Sequence, residues 1–174
     1  MANKYDRDLY KTLYEYQKNQ YDLERASYAR LEDKAAKYLT ALTVVISAYT
    51  IIIGKFLSIQ LKIDPLAYAL LIFLVVFIFI FLCFSWWSIF HTLKLSEVKK
   101  LNSSLEMIDF FLDNELETTY WDIAEKYSEA IDAYRLKNSE KINYMEQGYR
   151  EISISACGLV VFIFLIFLIT LTMK

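Results

Sequence analysis

Ala36, Thr40, Thr43, Ser47, Thr50 and Gly54 recur at intervals of 4, 3, 4, 3 and 4 residues. At about 100° per residue on an α-helix, this spacing gathers them on one narrow strip. The residues around them, from Tyr38 to Gly54, carry no charge, and the other faces are Leu, Val and Ile. Small and hydroxyl-bearing side chains in such a setting have two physical uses. They let helices approach closely and bond across the contact. Alternatively they line a water-filled pore built from several copies, solvating ions or small solutes weakly enough to let them pass. Thr40, Thr43, Ser47, Thr50 and Gly54 are therefore the candidate pore-lining or helix-interface residues.

Other chemistry has little footing. His91 is the only histidine and stands beside Trp87 at the end of an apolar run, the position of an interfacial anchor rather than a general base. Cys83 and Cys157 lie inside apolar runs and read as small core-filling thiols. One histidine and two such cysteines do not make a four-ligand zinc site. There is no glycine-rich phosphate loop, nucleophile elbow or paired metal-ligand motif. Carboxylates at helical spacing among basic residues lack the cleft that acid/base catalysis requires. The expectation is a protein that is not an enzyme and uses no cofactor.

The elements that would hold the strip follow from hydropathy. Tyr38 to Gly54, Pro65 to Phe90 and Ile152 to Met173 contain no charged residue, and each is about as long as a helix crossing the ~30 Å hydrocarbon layer. In 174 residues there are three Gly and one Pro, too few for many turns, so a few long helices are expected. The expected fold is an all-α membrane protein with three transmembrane helices extended by a cytoplasmic helical stalk. Residues 1–37 form a cytoplasmic helix continuous with the first span, and residues 38–59 form transmembrane helix 1. A short external loop follows at 60–64, then transmembrane helix 2 at 65–90. Residues 91–151 form a cytoplasmic helical hairpin, and 152–173 transmembrane helix 3. Spans two and three are almost wholly large and apolar, as lipid-facing helices are, leaving the first span as the one that faces something else.

Lys and Arg set the orientation. Sixteen lie in 1–37 and 91–151, and only Lys55, Lys62 and Lys174 lie elsewhere, so the positive-inside rule places the N-terminus in the cytoplasm and the C-terminus outside the inner membrane. Trp86 and Trp87 fit an aromatic belt at the cytoplasmic headgroups. No removable targeting peptide is expected, since the first apolar run follows a long charged segment. The net charge of -2 offers no basic footprint for nucleic acid.

Tyr10, Tyr14, Tyr21, Tyr28, Leu31, Ala35 and Tyr38 share one helical face ahead of the first span. Leu95, Val98, Leu101, Leu105, Ile108 and Leu112 continue a helix after the second span, until the run from Asp113 to Thr119 reads as a turn. Thr119 with Asp122 reads as the N-cap of the next helix, which carries Tyr120, Ala124, Tyr127, Ile131 and Tyr134. Counting back from the membrane puts Tyr21 level with Tyr134 and Tyr14 level with Tyr127, so Tyr14, Tyr21, Tyr28, Tyr127 and Tyr134 are the expected packing residues of the stalk. Such stripes are ordinary helix packing by a bulky residue with a polar handle. At the tip, Asp109, Asp113, Glu115, Glu117 and Asp122 form an acidic group, either a docking surface for a basic cytosolic partner or a solvated turn and helix face.

The run Glu24-Arg25-Ala26-Ser27-Tyr28-Ala29-Arg30-Leu31-Glu32-Asp33-Lys34-Ala35-Ala36-Lys37-Tyr38, leading directly into the first span, resembles small bacterial membrane effectors of anti-phage defence. The likeness is to the SLATT-type two-transmembrane effectors that accompany nucleotide-signalling modules, over residues 5–95. It rests on a charged helix, a short Asp-Lys-Ala stretch and hydropathy, and the third span is additional to the two-span pattern. The resemblance implies a protein that stays quiet until a cytosolic protein or small-molecule signal acts on its stalk, then assembles or opens as an oligomer and breaches the inner membrane. The alternative expectation is a non-conducting membrane anchor or assembly protein that recruits a soluble partner through the stalk.

Overall fold

The computed structural model describes residues 4–58, 64–94 and 105–172, and all of its regular structure is helical. Four helices follow in order: α1 (Lys4–Ser58), α2 (Pro65–Leu93), α3 (Leu105–Asp113) and α4 (Leu116–Thr172). Three of them, α1, α2 and α4, are long and apolar enough to cross a membrane. Asp64 caps α2, its carboxylate accepting the Leu66 N–H at 3.1 Å, and Pro65 occupies the first turn, where a missing N–H costs nothing.

The chain divides into two compact units, one of Met1–Glu32 with Leu95–Glu140 and one of Asp33–Lys94 with Lys141–Lys174. In the first, α1 and α4 run parallel and interleave their tyrosines. Tyr21 and Tyr134 have ring centroids 5.6 Å apart, and Tyr14 and Tyr127 5.9 Å, which are the pairs that counting back from the apolar runs puts at equal height. Each also meets a second ring one heptad away: Tyr14–Tyr120 at 5.5 Å, Tyr21–Tyr127 at 5.2 Å and Tyr28–Tyr134 at 5.7 Å. A constant step of seven residues on both helices keeps one seam facing the partner, the geometry of coiled-coil packing. Burial, and then the neighbouring Tyr14, Asp22 and Tyr21, raise the Tyr127 pKa above its ordinary value of 10.0; burial and Tyr21 do the same at Tyr134. Below the last tyrosine pair the contact becomes polar. Asn138, buried, donates to the Glu24 backbone carbonyl at 3.2 Å and to its carboxylate at 2.9 Å, and Arg135 reaches the same carboxylate at 3.1 Å.

One expectation about this unit needs correcting. Helix α4 starts at Leu116, so Thr119 lies inside its first turn instead of capping it. The Thr119 hydroxyl and N–H both reach the Glu115 carbonyl, at 3.1 and 3.0 Å, and its side chain is buried. The turn is accordingly only Asn114 and Glu115, between α3 and α4. Leu95, Val98 and Leu101, expected on a helix after the second span, lie outside the described residues, while Leu105, Ile108 and Leu112 fall in α3.

In the second unit, α1 and α4 again run parallel, with α2 antiparallel against both. The buried stripe of α1 is Ala35, Leu39, Leu42, Ile46, Tyr49, Ile53 and Phe56, again stepping by 4 and 3. Tyr38, placed on this face by its spacing, is instead 40% exposed, and Leu39 takes the seam. Tyr49 donates its hydroxyl to the Val75 carbonyl of α2 at 2.9 Å, so its one polar atom is satisfied inside an apolar setting. Helix α2 is not simply lipid-facing, contrary to expectation. Leu71, Val75, Ile78, Leu82 and Ile89 are buried between its neighbours. Two of the chain's glycines explain how closely α4 approaches it. A Cβ on Gly148 would stand 2.7 Å from Ile89 Cγ1, and one on Gly158 2.9 Å from Ile78 Cγ1. The cysteines are not core fillers either, since Cys83 and Cys157 are both exposed on the single chain.

Candidate functional site

Every member of the hydroxyl strip is exposed: Thr40, Thr43, Ser47, Thr50 and Gly54 all point away from the core of the unit. The reason lies in the register of α1. The strip is the buried stripe displaced by one residue, about 100° around the helix. Each hydroxyl donates to the carbonyl four residues back, Thr40 to Ala36 at 2.9 Å, Thr43 to Leu39, Ser47 to Thr43 and Thr50 to Ile46, each at 2.8 Å. Donors satisfied this way tolerate an apolar solvent, while the oxygen lone pairs stay available on the outer surface. Thr43 uses one of them, accepting the Trp86 indole N–H of α2 at 3.1 Å. Thr43, Ile46, Ser47, Cys83 and Trp86 line a shallow cleft of about 270 Å³. A Cβ on Gly54 would meet nothing within 4 Å, so this glycine serves no close contact within the chain.

The α2–α4 contact carries polar residues that spacing alone did not single out. Ser85, fully buried, donates to the Gly148 carbonyl at 2.9 Å. Ser88 donates to the Glu151 carboxylate at 3.0 Å, and Gln147 supports the same carboxylate at 3.3 Å. Glu151 is 9% exposed, so it is not one of the solvated carboxylates the sequence suggested. It escaped notice because it borders an apolar run; the usable signal was Gln147 and Glu151 at four-residue spacing opposite the serines of Pro65 to Phe90. Lys141, also buried, donates to the Thr92 carbonyl at 2.6 Å and so satisfies an orphan carbonyl in the last turn of α2. His91 stacks on Tyr144 at 5.3 Å and meets Trp87 edge-on at 4.9 Å, an anchoring environment.

The acidic group of the first unit is less uniform than its composition. Asp109, Asp113 and Glu115 are exposed, Glu117 is half-buried, and Asp122 is paired with Lys126, whose ammonium also lies 5.4 Å over the Phe110 ring. Around them Ile108, Phe111, Leu112 and Trp121 stand exposed. Among the described residues no three His, Cys, Asp or Glu side chains come together as a metal site. Comparison with protein families, curated proteins and solved structures finds no match.

Proposed function

We propose that this chain is a multi-pass inner-membrane protein that assembles with copies of itself through the hydroxyl strip of α1. The assembly forms or gates a pore that disrupts the membrane when a cytosolic signal acts on the tyrosine-laddered unit, in the manner of an anti-phage effector. The observation that carries the reading is the exposure of Thr40, Thr43, Ser47, Thr50 and Gly54 together, on a helix whose buried stripe is already complete. An exposed strip of small polar residues, with Thr43 accepting the Trp86 N–H at its edge, is suited to a sister copy or an aqueous lumen. The wide apolar exterior of the second unit supports membrane residence: Leu66, Phe73 and Val160 are 78%, 70% and 66% exposed, which water would penalise and acyl chains do not. The defence role rests on the resemblance of residues 5–95 alone. No catalytic chemistry is invoked, and lipid, sister copies and a cytosolic protein or small molecule are the partners.

The test is dye release from liposomes containing the purified protein, with cytosolic extract of phage-infected cells added outside to supply the signal. Wild type with the extract is expected to release the dye, and Thr43→Leu, Ser47→Leu and Thr50→Leu together are expected to return leakage to that of empty liposomes. Leakage unchanged by the triple substitution would sink the pore strip. A second reading, the non-conducting anchor, is favoured by one observation: every strip hydroxyl donor is satisfied within its own helix, so a dry, closely packed seam leaves none of them wanting. Liposomes that never leak with the extract present, although the protein is oligomeric, would select the anchor.

A further inference from the structure

On the flank of α1 opposite the hydroxyl strip, the helices leave a groove. Its α1 wall is Tyr38, Ala41, Val45, Ala48 and Ile52, the buried stripe displaced by one residue the other way. Its α4 wall includes Tyr149, Ala156 and Leu159, and Ile78 and Leu82 of α2 form the floor. The groove encloses about 530 Å³ and its lining is almost wholly apolar. It exists because the facing side chains are short in the middle, at Ala41, Ala48, Ser155 and Ala156, and aromatic at one end, where Tyr38 and Tyr149 meet edge-on at 5.1 Å. From that pair the lining runs along about 21 Å of α1, to Ile52, and about 15 Å of α4, to Leu159, at 1.5 Å per residue.

Shape and charge together select an occupant. The lining is apolar along its length and is bridged at one end by the Tyr38–Tyr149 contact, which suits a single flexible hydrocarbon chain. At the Tyr38 end, the stripe 38, 41, 45, 48 and 52 extends back by one more step of four to Lys34, which is exposed. Arg150 adjoins Tyr149 and is also exposed; Lys37 is paired with Asp33, and Glu146 stands one turn before Arg150 on α4. Basic side chains just beyond a pair of phenolic hydroxyls match the phosphate level of a leaflet, with tyrosines at the boundary between headgroup and acyl chain.

We propose that this groove is a binding site for an anionic diacyl phospholipid. One acyl chain lies between α1 and α4 along Ala41, Ala48 and Ala156, and the phosphate lies beside Lys34. The inference rests on the membrane reading above but not on the pore. In an assembly joined through the hydroxyl strip, the lipid flank stays on the other side of α1, so the bound lipid completes the α1–α4 packing from outside.

The test uses the full chain in bacterial membranes with Ile52, at the groove's rim and 61% exposed, replaced by the photocrosslinker p-benzoylphenylalanine. Irradiation followed by intact mass measurement is expected to show a phospholipid adduct. Adding Ala48→Phe and Ala156→Phe should lower the adduct at least about tenfold, the effect of roughly 1.4 kcal/mol of lost contact. Val44→Phe, on an exposed position outside the groove, should leave it unchanged. In reconstituted vesicles, Lys34→Gln should reduce the adduct with dioleoyl phosphatidylglycerol about fivefold, the weight of one lysine at an anionic surface, and leave that with the zwitterionic phosphatidylcholine unchanged. A crosslinked dimer in place of the lipid adduct would overturn the proposal by giving the groove to a second copy. An adduct insensitive to groove filling would overturn it too, since it reports only the surrounding lipid. Carbonate washing of the same membranes separates the failures: a chain retained without an adduct refutes the groove alone, and a chain washed out refutes the membrane reading as well.

Discussion

Tyr14, Tyr21 and Tyr28 occupy the same heptad positions of α1 as Leu42, Tyr49 and Phe56, yet the two sets hold their units together differently. In the first unit the partners are rings and polar groups: the tyrosine ladder, then Asn138 and Arg135 on Glu24. In the second the backbones themselves come close, with Gly148 and Gly158 lying against Ile89 and Ile78, and the polar atoms turn inward to carbonyls and a single carboxylate. On the membrane reading proposed above, the difference follows from solvent. Where water surrounds the helices, large amphipathic rings gain by leaving it and keep a hydroxyl for a partner. Where acyl chains surround them, apolar burial gains nothing over lipid, so association depends on close packing and satisfied polar groups.

That contrast can be broken at its tightest point. Gly148→Leu would press on Ile89 and disturb the Ser85 bond to its carbonyl. Overpacking of about 1–3 kcal/mol together with about 1 kcal/mol for the bond exceeds the gain of about 1 kcal/mol in helix propensity. A net loss of about 2 kcal/mol is expected in the unfolding of the detergent-solubilised chain. Gly54→Leu, by contrast, meets nothing within 4 Å and should stabilise the chain against that unfolding by up to about 1 kcal/mol, the helix-propensity gain alone. If Gly148→Leu were as harmless as Gly54→Leu, close approach would not be what holds α2 to α4.

In the first unit, Asn138→Leu should cost about 1–2 kcal/mol, because it strips hydrogen bonds from the Glu24 carbonyl and carboxylate at a buried position. Tyr21→Leu removes two ring contacts, and a loss of about 1 kcal/mol is expected in the same melts. Arg135→Ala sharpens the point from below. Its bond to Glu24 is half exposed to water, and a change under about 0.5 kcal/mol is expected.

Alkaline titration bears on the tyrosine ladder of the first unit. Tyr127 and Tyr134 hold their protons more tightly in the folded chain than the ordinary value of 10.0. Their contribution is therefore complete below pH 10 and is lost as pH rises through the folded values, when the unfolded chain releases protons first. Thermal melts followed by tyrosine absorbance at pH 9 and pH 11 should show the ladder loosening at the higher pH. Tyr127→Phe with Tyr134→Phe should flatten that dependence; a dependence of the same size in the double variant would locate its origin elsewhere.

Much of this was readable in the linear chain. Three uncharged runs specify three long helices, and the seven-residue recurrence of tyrosine specifies which faces of α1 and α4 meet, because a helix that repeats every 3.5 residues must keep one seam to its partner. The hydroxyl strip was legible for the same reason. What escaped was anything that depended on a neighbour from another part of the chain. Glu151 borders an apolar run and looked like an ordinary surface carboxylate until Ser88 and Gln147 enclosed it. Cys83 and Cys157 looked like core residues because their runs are apolar, but a run has no outward face until helices pack. Periodicity is a property of one helix and survives in one dimension. Burial is a property of pairs, so only the packed structure could place Gly148 against Ile89, leave Thr40 to Gly54 uncovered on one flank of α1, and open a groove beside the Tyr38–Tyr149 pair on the other.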